Sequence, residues 1–219
     1  MRSGPDDEAR KDIAVHSMPD ALGLIEIMSF SAAMAALDAA EKAAPIRFLQ
    51  AELNDLYGVC IKFTGTAGDV ASAISAATDI ASMMQVKIVT DVIRSPAAGS
   101  EPSYVAGKEF SPLIEQDVVF FPQESRVSDQ MPYAIGFIET QGLTAVIEAI
   151  DTACKSANVE IIGKEKLGGG YVTVLIKGDT AAVKTAIEAG KAKVEGLGKL
   201  IAAHVIPRPS AAVMSLLPK

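Results

Sequence analysis

Along this chain, short apolar runs of strand length give way to apolar residues spaced by three and four, and the same succession occurs twice. ALGLIEI from Ala21 and AIGFIET from Ala134 read as short strands. SAAMAALDAAEKAA and LTAVIEAIDTACKSA follow with helical spacing, and Pro45 supports a boundary after the first of them. IRFLQAE and VEIIGKE read as strands, as do VCIKFTG and YVTVLIKG with their β-branched and aromatic content. Thr66 and Asp179 stand where a helix N-cap belongs. Helices are predicted over about 67–84 and 180–195, and KIVTDVIRSP and KLIAAHVIPRP close each copy as strands ended by proline.

The two series align at an offset of 113 residues, without a gap, from Ala21–Pro96 to Ala134–Pro209. Gly23 pairs with Gly136, Glu26 with Glu139, Asp38 with Asp151, Lys42 with Lys155 and Gly65 with Gly178. An offset this long is not a solenoid repeat, whose period is about 20–50 residues. It is a duplicated domain. Each copy runs β-α-β-β-α-β, the split unit of ferredoxin-like domains, so the class is mixed α/β of the α+β kind, with an antiparallel sheet and both helices on one face. The expected organisation is a flexible or loosely docked extension over 1–19, a first domain over 20–96, a linker over 97–133, and a second domain over 134–219 whose tail from 210 forms one or two helical turns. The linker is rich in Pro, Ser and Gly; a short helix is expected near SPLIEQD, and the segment is expected to pack on the first domain.

Gly168-Gly169-Gly170 raises a chemical question, because glycine loops often cradle phosphate. A phosphate loop opens a helix and carries a lysine and a hydroxyl, and the dinucleotide pattern also precedes a helix. Here the glycines open a strand. A hairpin needing positive φ is the alternative, and three in a row imply that something also approaches the backbone closely. The counterpart positions in the first copy are Asp55-Leu56-Tyr57, chemically unlike glycine, so a shared phosphate or catalytic role is excluded while a role set by shape and position is not.

Composition narrows the function. A net charge of −7 and a pI near 4.9 argue against nucleic acid and against an anionic membrane surface. No apolar run reaches the roughly 18 residues of a membrane span, and the polar start MRSGPDDEARKD lacks signal-peptide character, so a soluble intracellular protein is expected. Cys60 and Cys154 make no disulfide framework and read as ordinary thiols. His16 and His204 are the only histidines, and no H-E-x-x-H, G-x-S-x-G or CxxC motif occurs, so no enzymatic activity, cofactor or metal is expected. Glu26 and Glu139 recur as either strand-surface charges or sheet-facing hydrogen-bonders. Lys42 and Lys155, read alone, are solvated lysines well placed at helix C-termini.

The second copy combines a G-x-I-E strand, a D-x-x-x-K-x-A helix end, a K-x-G-x-G hairpin, a V-x-G-D-like helix start and the closing VIPRPS. In this combination it resembles the shell-protein domain of bacterial microcompartments. The first copy keeps G-x-I-E, D-x-x-x-K-x-A and the terminal proline but not the glycine hairpin. The chain therefore resembles a tandem-domain, non-permuted shell protein. That resemblance implies a homotrimer whose six domains form a pseudohexameric tile, located in the microcompartment shell in the cytoplasm and packed edge to edge with other shell proteins. Asp55, Leu56, Tyr57, Gly168, Gly169 and Gly170 would line a central pore for small metabolites. Three carboxylates of Asp55 near one axis would raise one another's pKa or attract a cation. Lys42, Lys155 and Arg208 would be tile-edge residues reaching backbone carbonyls of the next tile. Some tandem members hold an iron–sulfur cluster through a pore-loop cysteine; Asp55 stands near that place and Cys60 lies on the following strand, so no cluster is expected. A rival class is a ferredoxin-like trimer that binds a regulatory ligand. It would need phosphate-binding cations on a long loop, where 97–133 offers only Lys108 and Arg126.

Overall fold

A computed structural model of the chain describes residues 20–54, 58–122 and 133–218. The expected extension over 1–19, the three residues Asp55, Leu56 and Tyr57, and Arg126 lie outside the described residues. The first domain runs β1 (Ala21–Ile27), α1 (Phe30–Ala43), β2 (Arg47–Asn54), β3 (Gly58–Gly65), α2 (Ala67–Met83) and β4 (Ile88–Ile93). A linking segment holds a short 3-10 turn (Glu101–Ser103) and the strand pieces β5 (Phe110–Ser111), β6 (Gln116–Asp117) and β7 (Val119–Phe120). The second domain runs β8 (Ala134–Gln141), α3 (Leu143–Ser156), β9 (Glu160–Gly168), β10 (Tyr171–Gly178), α4 (Thr180–Lys191), β11 (Lys199–Ile206) and α5 (Ala211–Ser215).

Both sheets are antiparallel and ordered alike. The first reads β4-β1-β3-β2-β7, the second β11-β8-β10-β9. The fifth strand of the first sheet is β7 from the linking segment, which pairs Ala51 with Phe120 and Glu52 with Val119 and so covers the β2 edge. One side of each sheet faces its own helices, where Gly23 and Gly136 leave room for the Phe63 ring and for Val183 and Ile187. Both helix starts expected from sequence are capped: Thr66 accepts from the Asp69 amide, and Asp179 from the Ala181 amide.

Two expectations need correction. Residues 111–117 are not helical. Glu115 sits at φ 57° and its amide donates to the Ser111 carbonyl at 2.9 Å, closing a bend between β5 and β6. A helix this short needs tertiary packing to persist, and Leu113, its natural anchor, is 89% exposed. The fourth helix also stops at Lys191 rather than near 195: Lys193 and Val194 donate three residues back, to Gly190 and Lys191, in tighter turns that lead to Gly196 at φ 80°.

The main core does not stop at the domain boundary. Phe30, Met34 and Leu37 of α1 belong to one buried cluster with Ile135, Phe137, Leu175 and Ile206 of the second sheet and Val213 and Leu216 of the C-terminal segment. Thus α1 is sandwiched between its own sheet and the helix-free face of the second domain's sheet.

Candidate functional site: the hairpin end and the domain seam

The glycine hairpin is built for backbone geometry. Gly168, Gly169 and Gly170 have φ of 81°, 57° and 84°, the left-handed region that L side chains resist. The loop closes with the Gly142 amide donating to the Gly170 carbonyl at 2.9 Å and the Gln141 side-chain amide donating to the Gly169 carbonyl at 3.2 Å. Beside it lies a cavity of about 230 Å³ bordered by Met28, Gly58, Gln141, Leu167, Gly168, Gly169 and Tyr171. Met28 and Gly58 come from the first domain, so the β2–β3 and β9–β10 hairpins border one space. Gly58 is also required there: at φ 92°, an added Cβ would stand 2.0 Å from the Ile27 carbonyl oxygen. Sequence reasoning missed Met28, Gly58 and Gln141; the signal was Gly58 at the end of the first hairpin.

The seam between domains is organised by Glu139. Its carboxylate is fully buried on the helix-free face of β8 and accepts four hydrogen bonds from the start of α1. Donors are the hydroxyls of Ser29 and Ser31, each at 2.7 Å, and the amides of Phe30 and Ser31, each at 3.1 Å. A carboxylate at a helix N-terminus satisfies amides that have no partner within the helix and meets the positive end of its dipole. Of the two readings left open for the recurring glutamates, Glu139 is the hydrogen-bonder. Ser29 and Ser31, polar at the start of a helix whose next six residues are apolar, were the legible half of that pair.

The far end of the seam holds the expected edge residues. Lys42 donates to Asp38 and to the Arg208 carbonyl, each at 2.6 Å, with its side chain half exposed. The carbonyl it reaches belongs to its own chain, because α1 runs past the end of β11. Asp38 and Glu41 accept from the Ser210 and Ala212 amides at 2.8 and 3.0 Å, fixing the C-terminal segment against α1. Arg208 is exposed there, while Lys155, near the end of α3, pairs with Asp151 at 2.5 Å and is largely exposed.

Around the linking segment the two sheets differ in charge. In the first domain Lys62 is buried, donating to Glu52 and to the Tyr104 carbonyl, and Gln50 accepts from the Ala106 amide at 3.1 Å. At the positions of Glu52 and Lys62 the second domain has Glu165 and Leu175. Among the described residues Glu165 has no cation partner; burial pushes its pKa up to about 7, opposed by a hydrogen bond with Gln116. Gln116 also pairs with both backbone groups of Lys166, at 2.9 and 3.2 Å, tying the linking segment to β9. Burial raises the Cys60 thiol to about 11 and raises that of Cys154, so neither is activated as a nucleophile. Burial lowers the His204 pKa below the usual imidazole value, with Asp38 opposing. Among the described residues no group of three or more His, Cys, Asp or Glu side chains is placed to hold a metal, and no helix is long and apolar enough to cross a membrane.

A duplicated β-α-β-β-α-β unit with paired hairpins and a carboxylate-locked seam defines a class of building block, and comparison with known proteins identifies it. The BMC domain family model matches residues 21–96 and 134–209. The chain belongs to the BMC-domain family of microcompartment shell proteins and carries that domain in tandem. The bacterial microcompartment shell protein PduA of Citrobacter freundii is 54% identical over 86 residues, which is 39% of this chain and 92% of that protein. The major carboxysome shell protein CsoS1A of Halothiobacillus neapolitanus is 46% identical over 94 residues, 42% of this chain and 96% of its own. A crystal structure of a microcompartment protein from Desulfitobacterium hafniense matches 88% of this chain and 96% of its own at 24% identity, with a TM-score of 0.35.

Proposed function

We propose that this protein is a structural, non-catalytic tile of a microcompartment shell. Three copies close into a pseudohexameric ring of six domains, and the hairpins surround a central pore for small metabolites. The observation that carries this reading is the convergence of both hairpins, one from each domain, on a single cavity at one end of the chain. Asp55, Leu56 and Tyr57 would alternate around the axis with Gly168, Gly169 and Gly170, so bulky and bare loops give the pore threefold rather than sixfold character. With side chains absent at the glycines, backbone amides would line part of the opening and set its chemistry toward small polar solutes. Lys42, Lys155 and Arg208 would stand at the tile rim and engage neighbouring shell proteins.

Electron microscopy of the concentrated protein tests this. Flat arrays of six-lobed particles with the hairpins at the centre are expected, and Lys155→Ala should keep the particles while losing their lateral order. Arrays unchanged by Lys155→Ala would remove that lysine from the rim, and hairpins found at the particle periphery would end the pore reading.

A further inference from the structure

The seam inside the chain has a second, unfilled copy on the same molecule. At the 113-residue offset, Phe30 and Met34 correspond to Leu143 and Ile147. The first pair is buried at 1% and 0% exposure against the second domain, whereas Leu143 and Ile147 stand 51% and 56% exposed. The other half of the seam shows the same inversion. Ala202 and Ile206 of β11 are buried under α1, and their counterparts on β4, Val89 and Ile93, are 53% and 38% exposed. The molecule therefore presents a bare helix face on one side and, on the other, a bare sheet strip that matches what already covers the equivalent helix. An exposed apolar face with its complement elsewhere on the same surface calls for a head-to-tail contact between copies.

The polar centre of the seam is duplicated too. Glu26 occupies the position of Glu139. It is half-buried on the helix-free face of β1 and is oriented by Asn54, whose side-chain amide donates to it at 3.3 Å. The start of α3, where Glu26's partner would be, has no side-chain cap: its N-cap is Gly142 at φ 119°, in place of Ser29 at φ −164°. Thr144 stands in place of Ser31 and keeps a hydroxyl donor.

We propose that Glu26 of one copy caps helix α3 of the next, accepting from the Leu143 and Thr144 amides and the Thr144 hydroxyl, while Leu143 and Ile147 bury against Leu24, Val89 and Ile93. This rests on the ring reading above and names the residues that close it. The copied seam is the weaker one. It lacks the hydroxyl that Ser29 contributes, and it places Glu148 where Ala35 stands and Asp91 where His204 stands. Two added carboxylates are disfavoured where water is excluded.

The test uses the full chain in three forms: wild type, Glu26→Gln and Leu143→Asp. Analytical ultracentrifugation over a dilution series gives the assembly constant, and amide hydrogen exchange of the peptide containing residues 143–145 reports the cap. Wild type should assemble with those amides protected. Glu26→Gln should raise the dissociation constant at least tenfold and speed their exchange, even at concentrations where assembly persists, without shifting the monomer's unfolding midpoint. Leu143→Asp should abolish assembly. If wild type assembles and Glu26→Gln leaves both readouts unchanged, the cap assignment is wrong while the ring survives. A wild type that stays monomeric throughout removes both.

Discussion

Helices α1 and α3 occupy the same place in two sister domains and have opposite surroundings. Nine of the fourteen residues of α1 are buried, against four of the fourteen in α3. Their own domains do not account for this, since each packs on an equivalent sheet and a following helix. The difference is the neighbour. The second domain covers α1 from outside, with Glu139 locking its first turn, and nothing among the described residues does the same for α3. Duplication in one polypeptide has thus made one of two equivalent contacts intramolecular, and in the ring we propose the other is left for a second copy. The two copies also differ in sequence at these places: Gly142 stands at the position of Ser29, and Gly168-Gly169-Gly170 at the positions of Asp55-Leu56-Tyr57.

The largest effect that would sharpen this contrast is expected at the internal seam. Glu139→Ala strips the acceptor from two amides and two hydroxyls that are buried with it, and unpairing buried polar groups of this kind costs about 3–5 kcal/mol. Urea unfolding should show a loss of that size, together with exchange of the α1 amides, whereas Glu26→Ala should cost the isolated chain almost nothing. Equal losses for the two variants would break the distinction between an internal and an external seam.

A smaller effect is expected from the charge difference between the sheets. Glu52 has Lys62, but Glu165 has Leu175 at that position and no cation partner among the described residues. Folded, Glu165 keeps its proton up to about pH 7; unfolded, it loses it near the ordinary 4.5. The folded state therefore binds the proton more tightly, and stability falls as pH rises from about 4.5 to 7, then levels off. Glu165→Gln removes that penalty. It should stabilise the chain by up to about 3 kcal/mol at pH 8 and by almost nothing near pH 4.5, read as a melting-temperature gain that vanishes on acidification. A gain independent of pH would show that Glu165 is not buried without a counter-charge.

Much of this architecture was legible because it is local. The strand and helix order, the caps at Thr66 and Asp179 and the left-handed glycine hairpin depend on neighbours a few residues apart, and the 113-residue offset needs only the chain compared with itself. The seam was only half legible. Glu139 stood out by recurrence, but its donors lie 108 to 110 residues away, and no periodicity encodes a contact that depends on how two domains dock. Lys42 shows the same limit: its placement at a helix end was readable, its partner at Arg208 was not. Residues 111–117 went the other way, because helix-compatible residues were overridden by pairing of the flanking strand pieces and by the absence of a surface for Leu113.

The central claim is that the bare face of α3 is filled by the first domain of another copy, in a closed set of three. The solution mass of the purified full-length chain, measured by sedimentation down to micromolar concentration, tests it most directly. Three times the 22.8 kDa chain mass, with no larger open series, is the expected result. A single-chain mass at every concentration, or a ladder that grows without closing, would contradict it.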